Sequence, residues 1–185
     1  HFKLGPKDQE GLLKALGVDF RRVSAPYMGP RLHEDIPERG VKVNPWGIHT
    51  RRIDHGSGAY WDFCDFPLQN ADEETVANWP MPNSDHYDYS KIEAACEAHR
   101  EYAIFLVGGG GDLINGNGML RGMEQTLIDL LTDEPAGLLL ANRRFAIQAE
   151  VVRRALEAAK GKVDILWIGE DLGTQDRPII SMEIF

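Results

Sequence analysis

The sequence predicts an α/β protein in which a parallel sheet is covered by amphipathic helices. Two short, almost unbroken apolar runs, Tyr102 to Val107 and Val163 to Ile168, read as buried strands. Stretches with helical spacing precede, separate and follow the runs. That repeated order of strand, loop and helix is the signature of parallel pairing. Only roughly four strands of this kind can be counted. The chain starts in strand-like alternation at His1 to Leu4 and stops where a helix is beginning at Ser181 to Phe185, so a part of a larger fold is expected.

The 185 residues suffice for one domain with a real core. Hydrophobic residues make up 43% and charged ones 26%, which excludes disordered and fibrous classes. Net charge is −9, from 29 acidic and 20 basic side chains, and this disfavours nucleic acid and anionic membrane as partners. Apolar runs such as Ala136 to Ala141 fall far short of the roughly 20 residues of a membrane span. Cys64 and Cys96 occur in unrelated settings, so a reducing, cytoplasmic location is the expectation.

An amphipathic helix is expected from Pro6 to Leu16, closed by Gly17, then a strand from Phe20 to Ser24. From about residue 28 to residue 80 the chain is rich in proline, glycine and aromatics, a long excursion carrying a hairpin. Its arms are Val41 to Arg52 and Ala59 to Phe66, with the turn at His55-Gly56-Ser57-Gly58. Helices are predicted over Thr75 to Trp79, Tyr89 to Arg100, Met119 to Leu131 and Ala136 to Ala159. Leu138, Phe145, Ala149, Val152 and Leu156 are expected on the inner face of the last one. Arg143, Arg144, Arg153 and Arg154 read as its solvated edge.

Ligands of parallel α/β folds bind at the carboxyl ends of the strands. Two segments hold that position. The first is the glycine-rich stretch 108–118, in which Gly108, Gly109 and Asp112 are candidate substrate contacts, because a bare backbone can approach a ligand and present N–H groups. It lacks the Gly-Lys-Ser/Thr of a phosphate loop and matches the dinucleotide fingerprint poorly. The second is Gly169-Glu170-Asp171-Leu172-Gly173-Thr174-Gln175. Adjacent carboxylates leaving a buried strand suit acid–base or orienting work, so Glu170 and Asp171 are the catalytic candidates and Gln175 a substrate contact; a capping role for Asp171 with Glu170 in solvent stays open. Trp46 and His49, together in the aromatic excursion, complete the substrate-binding set. No His-x-Cys, Cys-x-x-Cys or His-Glu-x-x-His is present, so no metal site is expected within the segment. Asp62 and Asp65 beside Cys64 are expected to raise its pKa.

The stretch Asp164 to Gln175, followed by Pro178-Ile179-Ile180-Ser181 and Phe185, resembles the mid-chain segment of the uroporphyrinogen decarboxylase superfamily. Phe105 to Gly109, the helix after it, Asp133-Glu134-Pro135, Trp46-Gly47, Pro67-Leu68, Trp79-Pro80 and Asp88-Tyr89 follow the same order. The resemblance implies a TIM (β/α)8 barrel, of which this chain would be about the N-terminal half. It also implies either a corrinoid- or cobalamin-dependent methyltransferase or a cofactor-independent decarboxylase of the porphyrinogen type, with a non-catalytic binding module as a third reading. The loop 170–175 looks more like the methyltransferase branch, whose zinc ligands, a His-x-Cys pair and a later Cys, belong beyond Phe185. Zinc, a corrinoid and a corrinoid protein as partner are what the resemblance to that branch implies. Decarboxylase residues do not carry over: Arg22 to Pro26 lacks the family's aspartate, and Leu106 stands where the decarboxylases have tyrosine.

Overall fold

The apolar run found in the sequence builds the central strand of a three-stranded parallel sheet. In this computed structural model, which describes Gly5, residues 8–107 and residues 112–183, strand β1 (Phe20–Val23) pairs with β5 (Ala103–Val107), and β5 with β6 (Ile165–Trp167). Side chains alternate across the sheet. Val23, Ile104 and Leu106 point to one face, where Ile92 and Cys96 of α3 (Ile92–Ala98) and Ala155 and Ala159 of α6 (Pro135–Ala159) bury them. Phe20, Arg22, Phe105, Ile165 and Trp167 line a trough on the other face. Asp164 locks the start of β6 to β5, its carboxylate accepting the Ile104 N–H at 2.8 Å.

Two expectations are corrected here. No eight-fold barrel forms: the described residues make six strands, three in this sheet and three in a separate antiparallel one. Nor is the second apolar run buried. Every residue of β6 is exposed: it is an edge strand, paired among the described residues with β5 alone. Parallel pairing of the two runs, in contrast, is as expected.

The excursion holds β2 (Val41–Val43), β3 (His49–His55) and β4 (Gly58–Phe63) in the order β2-β3-β4. The expected first arm is broken at 44–48. There the Asn44 carboxamide accepts the N–H groups of Trp46 and Ile48, and Gly47 adopts φ 84°, a turn rather than a continuous strand. A second core lies beneath. Ile48, Leu68 and Val76, the last from α2 (Glu73–Asn78), pack on Leu120, Ala136 and Leu140.

The helix expected over Met119 to Leu131 is two helices, α4 (Leu113–Arg121) and α5 (Met123–Thr132), separated by Gly122 at φ 82°. Most of the glycine-rich stretch after residue 112 is therefore helix, not loop. Helix α3 and α1 (Gln9–Ala15) are shorter than the periodicity predicts; the Asp8 carboxylate, accepting the Gly11 N–H, fixes the start of α1. Residues 1–4, expected as a strand, lie outside the described residues. The buried face of α6 also differs. Ala136, Leu140, Arg144, Gln148, Val151, Ala155 and Ala159 face inward, whereas Phe145, Ala149 and Leu156 are exposed. Arg144 is thus core and not edge, and Arg143 donates to the carbonyls of Val76 and Trp79, capping α2; Arg153 and Arg154 bond Glu150 at the surface as expected.

Tyr87, bridged to Tyr27, is pushed up to about 12 by burial of its phenol. The folded state holds this proton more tightly than the unfolded chain, whose tyrosines ionise near pH ~10. The stabilisation is full below that pH and is lost as pH rises to about 12. Burial also raises Tyr27 and Tyr89, so an absorbance titration should show Tyr87 as the last phenolate step, at about pH 12, and that step should disappear in Tyr87→Phe. Completion of all five tyrosines by about pH 11 would refute the burial.

Candidate functional site

A cleft of about 480 Å³ opens where β6 ends and α4 begins, between α4, α5, the start of α6 and the segment after β6. Ile114, Leu130, Ile168, Leu172 and Ile180 give it apolar walls. Gly137, Ala141 and Gly169 also line it, and its polar groups are Asn117 and Arg121 of α4, Thr126 and Asp129 of α5, and Glu170. Apolar walls around a few fixed polar groups are the usual build of a small-molecule site.

Glu170 leaves β6 and turns back onto α4. Its Oε2 accepts the N–H of Ile114 at 2.8 Å and its Oε1 that of Asn115 at 3.1 Å. These first-turn amides have no partner inside the helix, and the positive end of the helix dipole favours a carboxylate there. One side chain thus ties the segment after β6 to the helix that follows β5.

Beside this contact lies Arg144, 3% exposed. Its Nη1 donates to Asn117 Oδ1 at 2.8 Å, its guanidinium carbon sits 5.4 Å from the Trp46 ring centre, and its Nε has no partner among the described residues. Burial pulls the guanidinium down to about 10, while the carboxylates of Asp112 and Glu170 act in the opposite sense, so it is a cation at neutral pH. Burial likewise raises the Asp112 carboxyl, and Arg144 opposes the rise. Gly116 is required for this packing, because a methyl group on it would overlap the guanidinium. One turn on, Gln148 Oε1 is also buried and unpartnered among the described residues.

A second buried arginine is fully engaged. Arg121 donates to both carboxylate oxygens of Asp129 and, through Nη1, to the carbonyls of Leu68 and Ala71, each at 2.9 Å. Gln125 adds a donor to Asp129 at 2.9 Å. This pair shapes the cleft floor and has little hydrogen-bonding capacity to spare.

Of the residues singled out in the sequence, the structure gathers Glu170, Asp112 and Trp46 around Arg144. Asp171 and Gln175 are exposed on the segment after β6. His49 belongs to another cluster, its Nδ1 lying 3.2 Å from Asp65, which also pairs with Arg39. Gly108 and Gly109 lie outside the described residues. The Cys64 thiol is pushed up as expected, but burial is the first cause and Asp65 the second, with no part for Asp62. Arg144, Asn117 and Thr126 escaped sequence reading. The only available signal was the stripe 140, 144, 148, 151, 155, whose two polar members disguise it.

These features define an α/β protein with an apolar-walled cleft at the carboxyl end of its parallel sheet. No family model, no curated protein and no solved structure matches the chain. Among the described residues no helix is long and apolar enough to cross a membrane.

Proposed function

We propose that the protein is an enzyme acting on a small molecule held in this cleft, and that its reaction is methyl transfer of the kind the uroporphyrinogen decarboxylase-like resemblance implies. The observation that carries the reading is the return of Glu170 onto the amides of Ile114 and Asn115, beside Arg144 and at the mouth of the cleft. The segment that bears the resemblance therefore also bears the best-organised polar geometry. Charge balance favours this branch over decarboxylation of a polyacid. Arg121 is taken by Asp129, and Arg144 faces two carboxylates, so neither cation is free to hold substrate carboxylates.

Zinc and a corrinoid belong to the implied chemistry. Among the described residues no three His, Cys, Asp or Glu side chains come together as metal ligands. What these residues supply is orientation: Glu170 fixes α4, Arg144 fixes Asn117, and the apolar walls exclude water. The test offers the protein methylcobalamin, a thiol and zinc, and follows the cobalamin absorbance. Wild type should demethylate it, and Glu170→Gln should slow the change about 10- to 100-fold. An unchanged spectrum with wild type overturns the reading.

A further inference from the structure

The cleft has two features that the proposed reaction does not by itself explain. Thr126 lines it and is 3% exposed, yet its Oγ1 has no hydrogen-bond partner among the described residues. A hydroxyl buried without a partner destabilises the folded state, so the fold alone gives no reason for threonine over valine there. Asn117 lines the same cleft with half of its amide committed. Because a guanidinium only donates, the oxygen of Asn117 must face Arg144, and the NH2 group must point away from it. Arg144 thereby orients two donors.

We propose, building on the cleft as the ligand site, that it selects an uncharged, apolar-bodied ligand whose oxygen acceptor is bound by Asn117 Nδ2 and Thr126 Oγ1, with Arg144 as the positioning residue for Asn117. The walls of Ile114, Leu130, Ile168, Leu172 and Ile180 suit a ring or branched hydrocarbon body. Among the described residues an anion finds no free cation in the cleft lining, since Arg121 is held by Asp129 and two backbone carbonyls. Among the described residues a cation finds no free carboxylate there, since Glu170 already accepts two backbone N–H groups, Asp129 is paired with Arg121 and Asp112 faces Arg144. A carbonyl, ether or hydroxyl oxygen is the partner that can accept one bond from each of the two side chains.

Ligand-observed saturation-transfer NMR tests this with acetophenone, its oxygen-free isostere α-methylstyrene, benzoate and benzylammonium. Wild type should bind acetophenone about 3- to 10-fold more tightly than α-methylstyrene, the worth of one net hydrogen bond or slightly more. Thr126→Val should erase most of that preference while melting at the same temperature as wild type or higher, because it removes an unpaired hydroxyl; a merely structural threonine would give the reverse. Asn117→Asp keeps an acceptor for Arg144 while removing the donors, and should also lose the preference. Equal binding of acetophenone and α-methylstyrene by wild type overturns this selectivity and leaves the cleft as an apolar site. Tighter binding of benzoate or benzylammonium overturns it in favour of an ionic site. Absence of saturation transfer to all four probes overturns the cleft reading itself.

Discussion

Replacing Asp129 by alanine lowers the free energy of unfolding by about 3–5 kcal/mol. Arg121 and Asp129 are both buried, and the arginine spends its remaining donors on Leu68 O and Ala71 O, joining the segment before α2 to α4 and α5. Without the carboxylate, a buried cation keeps its desolvation cost and loses its counter-charge. Urea denaturation measures the effect, and a loss under about 1 kcal/mol would show that water reaches the pair. Arg144→Met is the informative control. That arginine has one hydrogen-bond acceptor among the described residues, so its replacement by a hydrophobic side chain of similar length costs far less stability than Asp129→Ala.

Gly137→Ala is the second large effect, a loss of about 2–4 kcal/mol. Helix propensity alone predicts the opposite sign, a gain of about 0.5–1 kcal/mol for alanine within a helix. Packing wins because the added methyl would overlap the Asp129 side chain, forcing either α6 or the ion pair to shift. The double variant with Asp129→Ala decides the cause. Truncating Asp129 removes the carboxyl atoms that crowd the methyl while its Cβ still overlaps it, and the ion pair the methyl would disturb is already gone, so the combined loss should fall short of the sum by about 1 kcal/mol. Strict additivity would place the strain elsewhere.

The sequence was most legible where local pattern and tertiary role agree. The run at 103–107 is apolar because it is the central strand, and Glu170 stands out because an acid after a strand has few structural excuses. Legibility failed where a distant partner decides. Arg144 reads as surface in a stripe with Arg143, Arg153 and Arg154, and only Asn117, Trp46 and Asp112, brought in from other elements, make it core. The Arg121–Asp129 pair spans two helices and so follows no helical spacing. Strand β6 has the composition of a buried strand and lies exposed, since composition does not encode whether a neighbour covers it. The barrel expectation came from resemblance and not from strand count, and it failed on the strands themselves.

Gly122 has a further bearing on how the cleft is wired. Asn117 and Thr126 stand nine positions apart (117 to 126), and in one unbroken helix that is about two and a half turns, which would send them to opposite sides of the rod. They share a cavity only because the chain swivels at Gly122, at φ 82° and ψ 140°, a conformation that side-chain-bearing residues avoid. The choice of a hydrogen atom in place of a methyl at that one hinge therefore decides whether this protein has one two-handed grip or two unrelated polar side chains back to back.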